Sequence, residues 1–164
     1  MPLQPLQPTA FSHTGVTVPD LVAAIAWYQE TFGMYLLAGP IEVLEDDSPL
    51  GRAAAAIYGV GFSSFSFAHL VWPDGIGLEL FHFSYPETSP RENNFEFWKT
   101  GIYHIALTAP NFAETVARIV DAGGRQRSEP VVINPEKGYR VVYCEDPWGT
   151  VIELCSHPYA QTWA

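Results

Sequence analysis

Short runs of this chain alternate apolar and polar residues with the period of a strand, and two longer runs place apolar residues three and four apart, as in a helix packed on one face. The pattern occurs twice. Ser12-His13-Thr14-Gly15-Val16-Thr17-Val18-Pro19-Asp20-Leu21 matches Tyr103-His104-Ile105-Ala106-Leu107-Thr108-Ala109-Pro110-Asn111-Phe112, 91 positions further on. Each copy reads as a strand that delivers the chain, through Pro and then Asp or Asn, to a helix N-cap. After Asp20, the apolar series Leu21, Ala24, Ile25, Tyr28 and Phe32 stops at Gly33; after Asn111, Phe112, Val116, Ile119 and Val120 stop at Gly123-Gly124. A second match, offset by 74, aligns Gly75-Ile76-Gly77-Leu78-Glu79-Leu80 with Gly149-Thr150-Val151-Ile152-Glu153-Leu154. Asp146-Pro147-Trp148-Gly149 has the residues of a type I turn, so Arg140 to Asp146 and Thr150 to His157 are expected to form a hairpin. Asp74-Gly75 does the same after a strand from Phe65 to Trp72.

These repeats divide the chain into a Pro-rich arm (1–8), a first strand-helix-strands module (9–84), a polar then aromatic linker (85–100), a second module (101–158) and a tail (159–164). The first module carries a long insertion at 45–62, of which Ala53 to Tyr58 fits a short covering helix. The fold class expected is α+β.

Composition narrows the functions. In 164 residues, 8 Lys+Arg stand against 18 Asp+Glu, a formal charge of −10, which disfavours nucleic acid and anionic membrane surfaces as partners. No run reaches the ~20 apolar residues of a spanning helix, and the N-terminal segment has neither the charge nor the apolar run of a secretory signal. Cys144 and Cys155 read as two reduced thiols, which points to a cytoplasmic protein, although neighbouring strands make a disulfide between them geometrically conceivable.

The chemistry lies in the doubled polar residues. Strand alternation puts His13 with Gly15 and Thr17, His104 with Ala106 and Thr108, Glu79 with Gly77 and Phe81, and Glu153 with Val151, Cys155 and His157. Ionised Glu inside an apolar strand is costly unless paired or bound to a cation, and two copies would repel each other. If the halves face one another across a pseudo-twofold axis, two imidazoles and two carboxylates converge, a set suited to Zn, Ni, Co, Fe or Mn. His69 and His82 have no His at the matching place in the other half and read as packing residues.

With the Pro-Asp helix entry, the Gly33 stop and the ending Asp-Pro-Trp-Gly-Thr-Val-Ile-Glu-Leu, the chain resembles the vicinal oxygen chelate superfamily, over about residues 9 to 158. The resemblance implies two βαβββ modules in a pseudo-twofold arrangement forming a metal-binding cup, often completed by pairing chains, hence a homodimer. It implies His13, Glu79, His104 and Glu153 as ligands of a divalent metal. Within the family the chain looks most like glyoxalase I, which implies proton removal next to a carbonyl of a small-molecule substrate, a metal-stabilised enediolate, Glu153 as base and Glu79 as ligand and second acid or base. An epimerase of the methylmalonyl-CoA type, an extradiol dioxygenase, and a metal-free drug-binding protein are the alternatives within the same resemblance. Arg140 is the expected anion-binding residue, with Lys137 beside it; Trp98, Tyr143 and His157 are the other expected substrate contacts. So few cations put glutathione and CoA substrates in doubt.

Overall fold

A computed structural model describes residues 9–162. The arm at 1–8 and the last two residues of the tail lie outside the described residues. The elements follow the repeat. The first module is β1 (His13–Thr17), α1 (Leu21–Phe32), β2 (Tyr35–Leu44), α2 (Pro49–Tyr58), β3 (Ser64–Val71) and β4 (Gly77–Phe83). The second is β5 (Ile105–Thr108), α3 (Phe112–Asp121), β6 (Arg125–Gln126), β7 (Val131–Asn134), β8 (Tyr139–Glu145) and β9 (Val151–Cys155), followed by a four-residue helix, α4 (Tyr159–Thr162). The chain is therefore an α+β protein of two modules that share one strand order, the second with an additional strand, β7. Strand orders are β1-β4-β3-β2 and β5-β9-β8-β6, with β7 also paired to β8. In each sheet the first strand runs parallel to the last, which puts His13 near Glu79 and His104 near Glu153.

Helix ends follow local chemistry. The Asp20 carboxylate accepts from the Ala23 amide at 2.9 Å and starts α1, and Gly33, at φ 70°, ends it. The matching Asn111 makes no such cap; its carbonyl instead accepts from the Thr115 hydroxyl at 3.0 Å. In the insertion, Ser48 caps Gly51 and Pro49 opens α2, so the helix begins four residues before the expected Ala53.

One core joins the modules. Helix-facing residues of both sheets (Leu78, Leu80, Val142, Ile152, Leu154) pack with Leu21, Ile25 and Tyr28 of α1 and Phe112 and Ile119 of α3. The Trp27 indole donates to the Ala122 carbonyl at 3.0 Å, and the Tyr28 hydroxyl donates to Asp146 at 2.9 Å, linking one module to the turn of the other. The turn itself requires Gly149, which sits at φ 92°, and a Cβ there would lie 2.1 Å from the Asn94 amide nitrogen. Gly149→Ala is expected to cost about 1–3 kcal/mol through backbone strain and displacement of Asn94, read as a lower denaturation midpoint.

The two cysteines lie on opposite faces. Cys144 points into the core and Cys155 to the open side of the sheet, and both are free, so the disulfide that was conceivable from the strand reading does not form.

Candidate metal and substrate site

Each sheet buries one face under α1 or α3; the other is open, except where α2 covers one end of the first sheet, and the doubled polar residues stand on these open faces. In the first module the His13 Nε2 lies 3.2 Å from Glu79 Oε2. In the second, the His104 Nε2 lies 2.9 Å from Glu153 Oε2. Parallel pairing of first and last strands produces both contacts. The Gly77 and Gly15 positions matter locally: a Cβ on Gly77 would sit 3.0 Å from the His13 Cβ, and Gly15 is paired with Glu79.

A third group faces each carboxylate from the neighbouring strand. His69 Nδ1 lies 3.3 Å from Glu79 Oε1, and the Tyr143 hydroxyl donates to Glu153 Oε2 at 3.2 Å. The two stand at one register position, since His69 pairs with Glu79 and Tyr143 with Glu153. His69 is thus not a packing residue, and the 74-residue offset that aligns Glu79 with Glu153 also aligns His69 with Tyr143. His82, by contrast, packs against the Val18 carbonyl, with its Nδ1 at 3.3 Å.

Burial pushes the Tyr143 phenol up to about 12, with the Glu153 charge adding to it, so the hydroxyl remains a donor at neutral pH. Burial and the same charge push the Cys155 thiol up to about 11, and that thiol faces Glu153 Oε1 at 3.7 Å. Two donors therefore hold the Glu153 carboxylate.

Of the other expected contacts, Arg140 turns away, with its guanidinium over the Phe112 ring at 5.2 Å on the helix side of the sheet. Lys137 lies over Tyr139 at 5.7 Å. His157 is buried, stacked on Tyr139 at 4.1 Å with its nitrogens toward Ser156 and Thr162, and serves to dock the tail helix. Trp98 is exposed and meets Phe97 edge-on at 5.1 Å. The cation beside the site is Arg127, which sequence reading passed over. It pairs with buried Glu145, lies 5.0 Å over Phe95, and its charge reaches Tyr103, which is stacked on Tyr143 at 5.9 Å.

The four expected ligands form two pairs. Among the described residues, no group of three or more His, Cys, Asp or Glu is placed to hold a metal ion. Each pair by itself fits a metal corner: a nitrogen and a carboxylate oxygen about 3 Å apart span the edge of two ligands each about 2.1 Å from one ion. The His104 Nδ1 is buried without a hydrogen-bond partner.

Two βαβββ modules with parallel outer strands and His/Glu pairs on open sheet faces define a vicinal oxygen chelate architecture. Residues 10–154 match the Glyoxalase/Bleomycin resistance protein/Dioxygenase superfamily, and the chain belongs to it. A glyoxalase family protein from Bacillus cereus is similar at 25% identity and TM-score 0.74, over 94% of this chain and 97% of that one. A glyoxalase/dioxygenase from Nostoc punctiforme is 27% identical at TM-score 0.62, over 95% and 98%. A fosfomycin resistance protein from Listeria monocytogenes, complexed with Mn(II) and dihydroxypropylphosphonic acid, shares the fold at 18% identity and TM-score 0.61, over 96% and 100%. No curated protein matches the chain. No helix of the described residues is long and apolar enough to cross a membrane.

Proposed function

We propose that the chain is a metal-dependent lyase or isomerase of the glyoxalase I kind, acting on a small carbonyl compound, and that two copies complete each site. The observation that carries this is the repeated His-Glu contact at 3.2 and 2.9 Å on two open sheet faces. Surfaces bearing half a ligand set each are complementary to one another in a twofold dimer, where the first module of one copy meets the second module of its partner. His13, Glu79, His104 and Glu153 would then hold one divalent ion, of the Zn, Ni, Co, Fe or Mn group. When bound, that ion supplies Lewis acidity toward a carbonyl oxygen and makes the adjacent carbon acid removable near neutral pH.

The chain's own groups do the rest. Glu153 takes the proton; Tyr143 and Cys155, donating to its two oxygens, orient it. Glu79, held between His13 and His69, is the ligand on the opposite side and a second place for a proton. Tyr143→Phe removes one orienting donor, and its metal affinity is expected to fall roughly tenfold, measured by competition with a chromophoric chelator.

The deciding experiment is elemental analysis of the purified chain beside a His13→Ala/His104→Ala double variant. Near-stoichiometric metal that the variant lacks supports the reading and leads to isomerase assays, with loss of turnover in Glu153→Gln identifying the base. A chain that neither retains nor takes up those ions is instead a metal-free binding protein.

A further inference from the structure

The open face of the first module is polar at one end and aromatic along the rest. His13, Glu79 and His69 form the polar end. Two residues on from Glu79 and His69, one pleat along their strands, Phe81 and Phe67 stack on each other at 6.0 Å and 20°. Phe83 stacks on Phe81 at 6.1 Å and 18°, extending the floor. Phe67 and Phe81 are only partly buried, while Phe65 beyond them is closed over by Ala54 of α2 and by Phe62 in the segment after it. Tyr58, the last residue of α2, meets Phe65 and Phe83 edge-on at 5.4 Å each, and the Glu79 charge helps burial raise its phenol pKa. On the other side Gly15 leaves the edge of Phe81 clear: any side chain there would touch that ring at 3.4 Å.

Charge on this half of the chain is one-sided. Residues 9–84 contain a single cation, Arg52, against eight carboxylates. Arg52 is spent on the Asp47 carbonyl at the entry of α2. Strands β1 to β4 carry no Lys or Arg. An anionic carrier such as glutathione or CoA meets no counter-charge on this face and is repelled by its carboxylates, and Arg127, the cation beside the site in the second module, is already paired with Glu145. A flat apolar group meets stacked rings about 7 Å from the Glu79 position, the advance of two residues along a strand.

We propose that the substrate is uncharged and bears an aryl or similarly flat apolar group on its carbonyl carbon or on the carbon beside it. The carbonyl oxygen faces the His13–Glu79 end, the ring lies on Phe67 and Phe81, and Tyr58 caps it. This rests on the carbonyl-substrate reading above and fixes which substituent that site selects.

The test compares 2-hydroxyacetophenone, hydroxyacetone and S-lactoylglutathione by titration calorimetry on the full chain, both metal-free and with Zn(II) added. The phenyl ketone is expected to bind about tenfold tighter than its methyl analogue, from ring burial and stacking. Phe67→Leu and Phe81→Leu keep the face apolar and the fold packed, and each is expected to bring that ratio to about threefold or less, without altering Zn(II) uptake. Equal affinity for the two ketones, an unchanged ratio in both variants, or tightest binding of S-lactoylglutathione would overturn the proposal. Failure to take up Zn(II) overturns the metal reading alone, because the phenyl-to-methyl ratio is still read on the metal-free chain.

Discussion

On the proposed reading, refolding an equal mixture of His13→Ala and His104→Ala chains is expected to restore metal sites that neither variant has alone. The expectation follows from how the ligands are divided. His13 and Glu79 belong to the sheet of the first module, His104 and Glu153 to that of the second, and each pair stands on an open face. In a dimer that joins the first module of one copy to the second of the other, each variant's own dimer has one lesion in every site. The mixed dimer collects both lesions in one site and leaves the other intact. Random pairing makes about half the dimers mixed, so about a quarter of the wild-type sites return. Losing one imidazole ligand weakens each damaged site by more than the roughly 10–100-fold typical of losing an outer-shell partner, so the unmixed variants should be nearly metal-free under dialysis. If each chain closed its own site, every site in the mixture would carry a lesion and no metal would return.

How far the sequence led can be traced residue by residue. His13, Glu79, His104 and Glu153 were legible because a parallel pairing of first and last strands, repeated at fixed offsets, leaves side-chain alternation little freedom. Tyr143 was expected only as a substrate contact; the pairing of β8 with β9 is what puts it beside Glu153. His69 was legible too, through the offset that carries it onto Tyr143, although a His and a Tyr share no residue type that marks them as equivalent. Arg127 and Arg140 show the opposite limit. Arg127 lies beyond the second residue of a two-residue edge strand whose register comes from Arg125 pairing with Glu145, a long-range contact that no local periodicity announces. Arg140 lies one residue out of phase with Val141 and Tyr143, so its distance in sequence from Glu153 said nothing about its facing Phe112. His157 follows the end of β9, where alternation no longer applies, and the tail helix claims its ring. Asn111 copies Asp20 in sequence but not in capping, since the Thr115 hydroxyl takes its carbonyl instead.

The second large effect is structural and lies at Asp146. This carboxylate is buried, and its two oxygens accept from the Trp148 amide at 3.0 Å, the Thr150 amide at 2.7 Å and the Tyr28 hydroxyl at 2.9 Å. It thus shapes the turn between β8 and β9, which sets the register of Glu153 against Tyr143, and ties that turn to α1 of the other module. Asp146→Ala strands three donors at once, the buried Tyr28 hydroxyl and the half-buried Trp148 and Thr150 amides, and is expected to cost about 3–5 kcal/mol. Asp146→Asn keeps an acceptor for the two amides, and the Tyr28 hydroxyl can accept from the new amide nitrogen, so its cost should be about 1 kcal/mol. Burial raises the Asp146 pKa above the ordinary carboxylate value, against the pull of its hydrogen bonds. The folded chain therefore binds this proton more tightly than the unfolded chain. The contribution of Asp146 to stability is greatest below the ordinary carboxylate pKa and is lost as pH rises through the folded value. Urea midpoints of wild type and Asp146→Asn compared from neutral to mildly acidic pH isolate the group, because the other titrating residues are shared. The wild type should gain on the Asn variant as pH falls, and parallel pH profiles would show that the buried carboxyl titrates alike in both states.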